Sequence, residues 1–278
     1  MKDGIWAHAT KNDPCPICGK TDWCTFGGKA MLCQRVQSTH PATKGGWYHF
    51  YDEGGGYRPP VVSRKAPPRP LENAAVIMQV NRSITTMAQF NSLGESLGVE
   101  PSSIIALGAA WSPAHKAWAF PMYDGAGNIV GIRLRSISGF KWAIPGSRQG
   151  VFVPMPAVKH NRVVFLPEGP TDTAAALSLG FYAVGRPTCN FDSSIMRDTL
   201  KRLGIFNVVI VEDNDEPVKA TGKRPGREGA EKLKRELGLM SVFWKPPAPL
   251  KDLRAFVKAG GTAQMIQTEI DKKVWSKK

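Results

Sequence analysis

The segment "VVFLPEGPTDTAAA", residues 163–176, decides how the second half of this chain is interpreted. An apolar run typical of a strand ends at Pro167, and an alanine-rich stretch typical of a helix follows Pro170. Glu168 therefore lies at the carboxyl end of a predicted strand, where open α/β sheets bind ligands. Asp172 falls in the first turn of the next helix, where a capping or helix-dipole role is an alternative.

A second acidic segment, "NVVIVEDND" at 207–215, repeats the pattern of an apolar strand that ends in acids. Asp213 and Asp215 alternate, so both side chains point to one side of an extended segment. Neighbouring parallel strands would bring them close to Glu168, and such carboxylates repel unless a cation holds them. Oxygen ligands of this kind suit Mg²⁺ or Mn²⁺. A solvated loop at a strand end is the alternative that stays open.

The chain from residue 161 alternates between strand-like and helix-like segments, which predicts an α/β unit with a mainly parallel sheet. The predicted strands are "RVVFL", "FYAV", "NVVIV" and "MSVFW", and the predicted helices cover about 171–179, 193–203, 227–237 and 252–259. Upstream, residues 72–108 are predicted to be helical, and 117–135 form a hairpin that "FKWAI" extends as a third strand. This earlier part is therefore of the α+β type.

Four cysteines form the pattern C-x2-C-x5-C-x8-C, at Cys15, Cys18, Cys24 and Cys33. Four thiolates at this spacing predict a closed structural zinc site on a small β ribbon. His40 or His49 could replace one cysteine, because imidazole is an equally competent ligand. The remaining Cys189 is predicted to be a small core or loop residue.

The composition narrows the partners of the protein. The 278 residues carry 37 Lys and Arg against 23 Asp and Glu, a net charge of +14. Such an excess favours a polyanionic partner, and nucleic acid is the first expectation. No apolar run approaches the ~18 residues of a membrane span, and no signal peptide is recognisable. We therefore expect a cytoplasmic protein with no membrane partner.

The acidic segments resemble the Toprim domain, which bacterial-type primases, topoisomerases and some nucleases share. The matching stretches are "EGPTD" at 168–172, "AVG" at 183–185, "DND" at 213–215 and "GREGAEKL" at 226–233. "LKDLRAF" at 250–256 resembles the later acidic motif of this family and adds Asp252 as a further magnesium contact.

Residues 127–154, "GNIVGIRLRSISGFKWAIPGSRQGVFVP", resemble the stretch that precedes Toprim in bacterial DnaG-type primases. By position, the resemblance implies that Arg133, Arg135 and Lys141 contact nucleotide phosphates or the template. An N-terminal zinc ribbon, with Arg35 beside it as a nucleic-acid contact, completes the order of a primase. The cysteine spacing resembles that of zinc ribbons in phage and plasmid replication proteins more than that of cellular enzymes. No helicase segment is expected after the Toprim stretch, so the resemblance favours a primase of a phage, plasmid or other mobile element.

The resemblance implies five segments. They are a zinc ribbon at 1–51, a basic Pro/Gly-rich linker at 52–71, a basic subdomain of the polymerase core at 72–160, Toprim at 161–260 and a basic tail at 261–278.

The implied activity is synthesis of short RNA primers on single-stranded DNA from NTPs. Glu168, Asp213 and Asp215 would hold the catalytic metal, with Glu168 as a ligand or as the general base. Asp172 and Lys141 would support catalysis. A replicative helicase or another replication protein is an expected partner. The alternatives are a Toprim nuclease or topoisomerase-like enzyme, and a non-catalytic ssDNA-binding replication protein.

Overall fold

The computed structural model describes residues 6–27, 30–43, 45–50, 70–156, 163–217 and 224–275. The chain divides into two compact units, Met1–Ala66 and Pro67–Lys278. The predicted linker, 52–71, lies outside the described residues except for its last two. None of the helices in the described ranges has the length and apolar character that crossing a membrane requires.

The first unit is a four-stranded antiparallel sheet in sequence order. Its strands are β1 (Ala7–His8), β2 (Thr25–Gly27), β3 (Ala30–Cys33) and β4 (Trp47–Phe50). As predicted, β2 and β3 form a hairpin, and it pairs Thr25 with Leu32. Three cysteines, Cys15, Cys24 and Cys33, form a buried cluster with Ala9, and Ala30 and Met31 are also buried. Among the described residues of this unit the apolar core is therefore small.

The second unit begins with three helices, α1 (Ala74–Ile84), α2 (Met87–Leu97) and α3 (Pro101–Ala106). Helix α2 starts in a capping box between Thr86 and Gln89 and ends at Gly98, which adopts the left-handed conformation. These local signals explain why the predicted helical stretch 72–108 divides into three helices.

An antiparallel sheet follows, with strands in the order β5-β6-β7-β8. They are β5 (Ala110–Ser112), β6 (Ala117–Tyr123), β7 (Ile129–Ser136) and β8 (Lys141–Ala143). Ala119, Ile132 and Leu134 face α1, whereas Trp118 and Phe120 belong to a second apolar cluster on the other face. Successive side chains along β6 and β7 therefore point to opposite faces of the sheet, and each face packs against its own apolar cluster.

The remaining chain forms a parallel sheet in the order β11-β10-β9. The strands are β9 (Val164–Leu166), β10 (Asn207–Val211) and β11 (Met240–Trp244), and the helices are α4 (Gly169–Ser178), α5 (Ser193–Leu203), α6 (Pro225–Leu237), α7 (Leu253–Lys258) and α8 (Ala263–Trp275). Apolar side chains cover both faces of this sheet. The fold is thus mixed α/β, and the described part of the chain contains one parallel and two antiparallel sheets.

Two segments differ from the sequence predictions. The run "FYAV" forms no full strand, because only the bridge between Phe165 and Ala183 pairs it with β9. Residues 261–278 were expected to be a basic tail, but α8 occupies most of them. Ile266 and Ile270 are buried in the core, so this segment packs as an amphipathic helix and does not form a tail.

Candidate functional sites

The four predicted zinc ligands come together in the first unit. The Sγ atoms of Cys15, Cys18, Cys24 and Cys33 all lie within 4.8 Å of one another. Two of the separations are 3.6 Å and 4.0 Å. Ligands at ~2.3 Å from a tetrahedral zinc ion are about 3.8 Å apart, so these thiols fit such an ion. The ligand chemistry and the distances therefore both suit a structural zinc site.

Backbone and side-chain N–H groups surround the thiols. The amide of Val36 donates to Cys33 Sγ at 3.3 Å. Burial raises the pKa of Cys15 to about 12, with backbone hydrogen bonds acting in the opposite direction. Deprotonation of so buried a thiol needs a strong compensating charge, which a bound cation would supply.

Arg35 lies against the same cluster. Its Nη1 is 3.6 Å from Cys24 Sγ and 3.9 Å from Cys18 Sγ, and its Nη2 pairs with Asp22 Oδ1 at 2.7 Å. The guanidinium is thus placed to donate hydrogen bonds to two thiolates, as an outer-sphere partner of the metal site does. If Arg35 also contacts the template, as predicted, its guanidinium must do so while it keeps these hydrogen bonds.

The two histidines considered as alternative ligands do not join the cysteine group. His49 Nε2 lies 3.1 Å from the carbonyl oxygen of Val36, and His40 Nδ1 lies 3.1 Å from Thr39 Oγ1. Within the described residues, the metal-competent group contains the four cysteines alone.

The five acidic residues predicted as site residues line one cleft of about 310 Å³ at the carboxyl ends of β9 and β10. The acids are Glu168, Asp172, Asp213, Asp215 and Asp252, and the cations beside them are Arg133, Lys141 and Lys251. The sequence predicted every one of these residues except Lys251. Arg135 lines a neighbouring pocket instead.

Glu168 is the N-cap residue of α4, but its side chain makes no capping hydrogen bond. The carboxylate therefore remains available to the cleft. Gly169 follows with a φ of +81°, a conformation that strains any residue with a Cβ. A Cβ at Gly169 would lie 4.0 Å from Lys141 Nζ, so the ammonium group is close to this turn.

Arg186 packs against Glu168 and is not among the residues predicted from the sequence. Its backbone brackets the acid, because the Arg186 amide donates to Pro167 and its carbonyl accepts from Gly169. Its buried Nη2 donates to the Val211 carbonyl at 2.8 Å and lies 4.0 Å from Glu168 Oε2. One side chain thus connects the ends of β9 and β10. The only sequence signal is its place directly after "AVG".

Asp172 is the most enclosed acid of the cleft, with 4% of its surface exposed. Burial, followed by the charge of Asp252, raises its pKa to about 6, while the Arg254 amide donates to its Oδ1 at 2.9 Å. This bond ties the start of α4 to the start of α7. Asp172 therefore serves neither as a simple helix cap nor as a solvated acid.

Asp213 has the larger shift. Burial and then the charges of Asp172, Glu168 and Asp215 raise its pKa to about 8. The cleft is therefore too negative for all of its acids to ionise together near neutral pH without an added cation.

The segment that carries Asp252 is held by Asn214, a second residue that the sequence analysis did not identify. Asn214 Nδ2 donates to the carbonyls of Pro246 and Leu250 at 2.7 and 2.8 Å, and its amide donates to Lys251. Asp252 itself caps α7 through Ala255. Asn214, which lies between Asp213 and Asp215, therefore holds the segment that carries Asp252.

Unlike the thiols, no three acids among the described residues have all their ligand atoms within 4.8 Å. Mg²⁺ commonly binds through one or two carboxylates and keeps several waters, so it does not need three acids this close together. With Lys141 and Arg133 lining the same cleft, the site has the charges that a metal-bound phosphate group would need.

Solved structures with a similar fold are catalytic cores of primases. A DnaG catalytic core aligns with a TM-score of 0.52 and 14% identity, over 72% of this chain and 77% of that chain. A DnaG primase catalytic domain bound to ssDNA gives 0.53 and 15%, over 72% and 78%. The Aquifex aeolicus primase with its zinc-binding and RNA polymerase domains gives 0.53 and 16%, over 70% and 58%. No protein-family model and no curated protein matches the chain.

Proposed function

We propose that the protein is a DNA primase, which makes short RNA primers on single-stranded DNA by metal-dependent nucleotidyl transfer. The observation that carries this proposal is the cleft, in which acids from two neighbouring parallel strands face cations of β7 and β8. The similarity of the chain's fold to DnaG catalytic cores supports the same function.

The proposed domain division follows the same family. It comprises a zinc ribbon at 1–51, a linker at 52–71, a basic subdomain of the polymerase core at 72–160, a Toprim domain at 161–260 and a C-terminal segment at 261–278. The division of the chain into two compact units near residue 66 is compatible with a ribbon and linker ahead of the catalytic part.

In this proposal Glu168, Asp213, Asp215 and Asp252 hold Mg²⁺ or Mn²⁺. Divalent ions in such sites lower the charge on the triphosphate and activate the attacking hydroxyl. Lys141 and Arg133 neutralise phosphates of the nucleotide or template, and Arg135 continues this basic strand. Asp172 keeps α7 in place through Arg254, so its contribution to catalysis is to position Asp252.

The zinc ribbon is proposed to bind one structural zinc ion through its four cysteines and to contact the template. Because so little apolar core supports this unit, metal binding would supply much of its folding free energy. Single-stranded DNA and NTPs are the proposed substrates, and a replicative helicase or another replication protein is a proposed partner.

Primer synthesis from NTPs on random-sequence ssDNA with magnesium tests the proposal. We expect oligoribonucleotides from the wild type and none from Glu168→Gln. Glu95→Gln, a matched change at an exposed site on α2, should retain wild-type activity. Absence of products from folded wild-type protein on any template would overturn the proposal.

Manganese binding to Glu168→Gln, followed by electron paramagnetic resonance, assigns the role of Glu168. Loss of bound Mn²⁺ makes Glu168 a metal ligand, whereas retained Mn²⁺ without primer synthesis makes it the general base. Nicking of plasmid DNA without NTPs would favour the nuclease or topoisomerase alternative. No tyrosine is among the described residues that line the cleft, which weighs against a topoisomerase.

A further inference from the structure

Four side chains lie opposite one another across the antiparallel sheet of the second unit. The strand register pairs Trp111 with Trp118, Trp118 with Arg135, and Arg135 with Lys141. Directly paired residues project from the same face of a sheet. The row therefore passes from two indole rings to two cations, and the last of these, Lys141, lines the acidic cleft.

The first three residues of the row line a separate pocket of about 380 Å³, which we call the indole pocket. Leu93 and Leu97 of α2 form its other wall. The pocket is open at the surface, because Ser92 and Ser96 at its rim are exposed and Ile137 is 80% exposed. It is therefore an accessible cavity with apolar walls and hydroxyl groups along its rim.

Arg135 connects the indole pocket to the cleft. Its Nη1 donates to the Gly139 carbonyl at 3.3 Å, which holds the guanidinium beneath the β7–β8 turn. Burial, followed by the charge of Arg254, lowers the pKa of Arg135, and the charges of Asp172 and Asp252 act in the opposite direction, so the guanidinium lies within reach of the acidic site. A bound chain could thus pass from the pocket to the cleft along cations.

We propose that the indole pocket binds one base of a single-stranded nucleic acid whose phosphates lie along Arg135 and Lys141. Trp111, the more exposed of the two indoles, offers a stacking surface that accepts any base, and the exposed serines can bond base edges. The adjacent cations match the charge of a phosphate backbone. The inference rests on the proposed function in one respect: the bound nucleic acid would be the template that is copied at the acidic cleft.

Binding of fluorescein-labelled 12-mers, measured by anisotropy without NTPs or magnesium, tests the pocket. The probes are oligo(dT) and a 12-mer of abasic nucleotides with the same phosphates. Ser92→Trp should fill the pocket from an exposed position without disturbing the core. We expect about tenfold weaker binding of oligo(dT) and unchanged binding of the abasic 12-mer, since one stacked base contributes ~1–3 kcal/mol.

Asn91→Trp, exposed on the same helix but outside the pocket, is the matched control and should bind both probes like the wild type. Trp111→Ala, which removes one wall, should also weaken binding of oligo(dT) selectively. Equal binding of oligo(dT) by Ser92→Trp and Asn91→Trp would overturn the inference. An equal loss for both probes would overturn it as well, because the pocket would then contact only the backbone.

The two proposals fail separately. A Ser92→Trp effect specific to oligo(dT) sustains the base pocket even if the wild type makes no primers. Primer synthesis by a wild type whose DNA binding is insensitive to Ser92→Trp leaves the primase proposal intact and removes the pocket.

Discussion

Asp213→Asn should stabilise the metal-free protein at alkaline pH, because it removes a buried negative charge from a cleft lined by other carboxylates. Burial, followed by the charges of Asp172, Glu168 and Asp215, raises the pKa of Asp213 from 3.8 to about 8 in the folded chain. Between these pH values the folded state binds more protons than the unfolded state. The free energy of unfolding therefore falls as pH rises through this window and levels off above pH 8.

The magnitude follows from the width of the window. From pH 5 to pH 8 the wild type loses up to ~4 kcal/mol, at 1.36 kcal/mol per pKa unit. Solvent reaches part of the carboxylate and the acids titrate together, so we expect about half of this, ~2 kcal/mol. For a unit of this size, that corresponds to a difference in Tm of about 4–8 °C. Asparagine carries no charge and escapes this loss.

Calorimetry in magnesium-free buffer at pH 5 and pH 8.5 measures the effect. The Tm advantage of Asp213→Asn over wild type should grow by that amount at the higher pH. Asp271→Asn, an exposed acid on α8, should follow the wild type. Magnesium should raise the Tm of the wild type and not that of Asp213→Asn. A Tm difference that is the same at both pH values would refute the reasoning.

Three further outcomes are expected. Cys24→Ser should reduce bound zinc, measured by mass spectrometry of the metal, from one ion per chain to none; retention of zinc would reject the four-thiolate site. Arg35→Ala should keep the zinc but release it to a chelator several-fold faster, because the hydrogen bonds from Arg35 to two thiolates are lost. Arg35→Lys, which weakens these bonds, should release zinc at an intermediate rate. Asn214→Ala removes two hydrogen bonds worth ~1 kcal/mol each. Hydrogen exchange in the peptide 245–251 should therefore be about thirtyfold faster, and unchanged exchange would mean that Asn214 does not hold this segment.

Much of the fold could be predicted because its signals are local. The run "NVVIV" has the composition of a buried strand and forms β10 with the predicted bounds. The helix at 193–203 is equally well marked, by its Asp192 cap and by Gly204 at its end. The resemblance to primases, based on short acidic motifs, is confirmed at the level of the fold.

The residues that escaped prediction act through contacts distant in sequence. Arg186 reaches the Val211 carbonyl and Asn214 reaches Leu250, and neither sequence position indicates such a partner. The row that links the indole pocket to the cleft depends on the register of four strands, which brings Trp111 into line with Lys141. By contrast, the acids were predictable because parallel strands place their carboxyl ends at one edge of the sheet.

Template-directed nucleotide incorporation tests the assignment of the acidic cleft most directly. Labelled ATP should be incorporated on templates whose coding bases are thymine, and labelled GTP on cytosine templates, by wild type and by Asp271→Asn in the presence of magnesium. Asp213→Asn should make no product while it remains folded. Products from Asp213→Asn at the wild-type level, or incorporation that ignores the template base, would contradict a metal-dependent primase centre at this cleft.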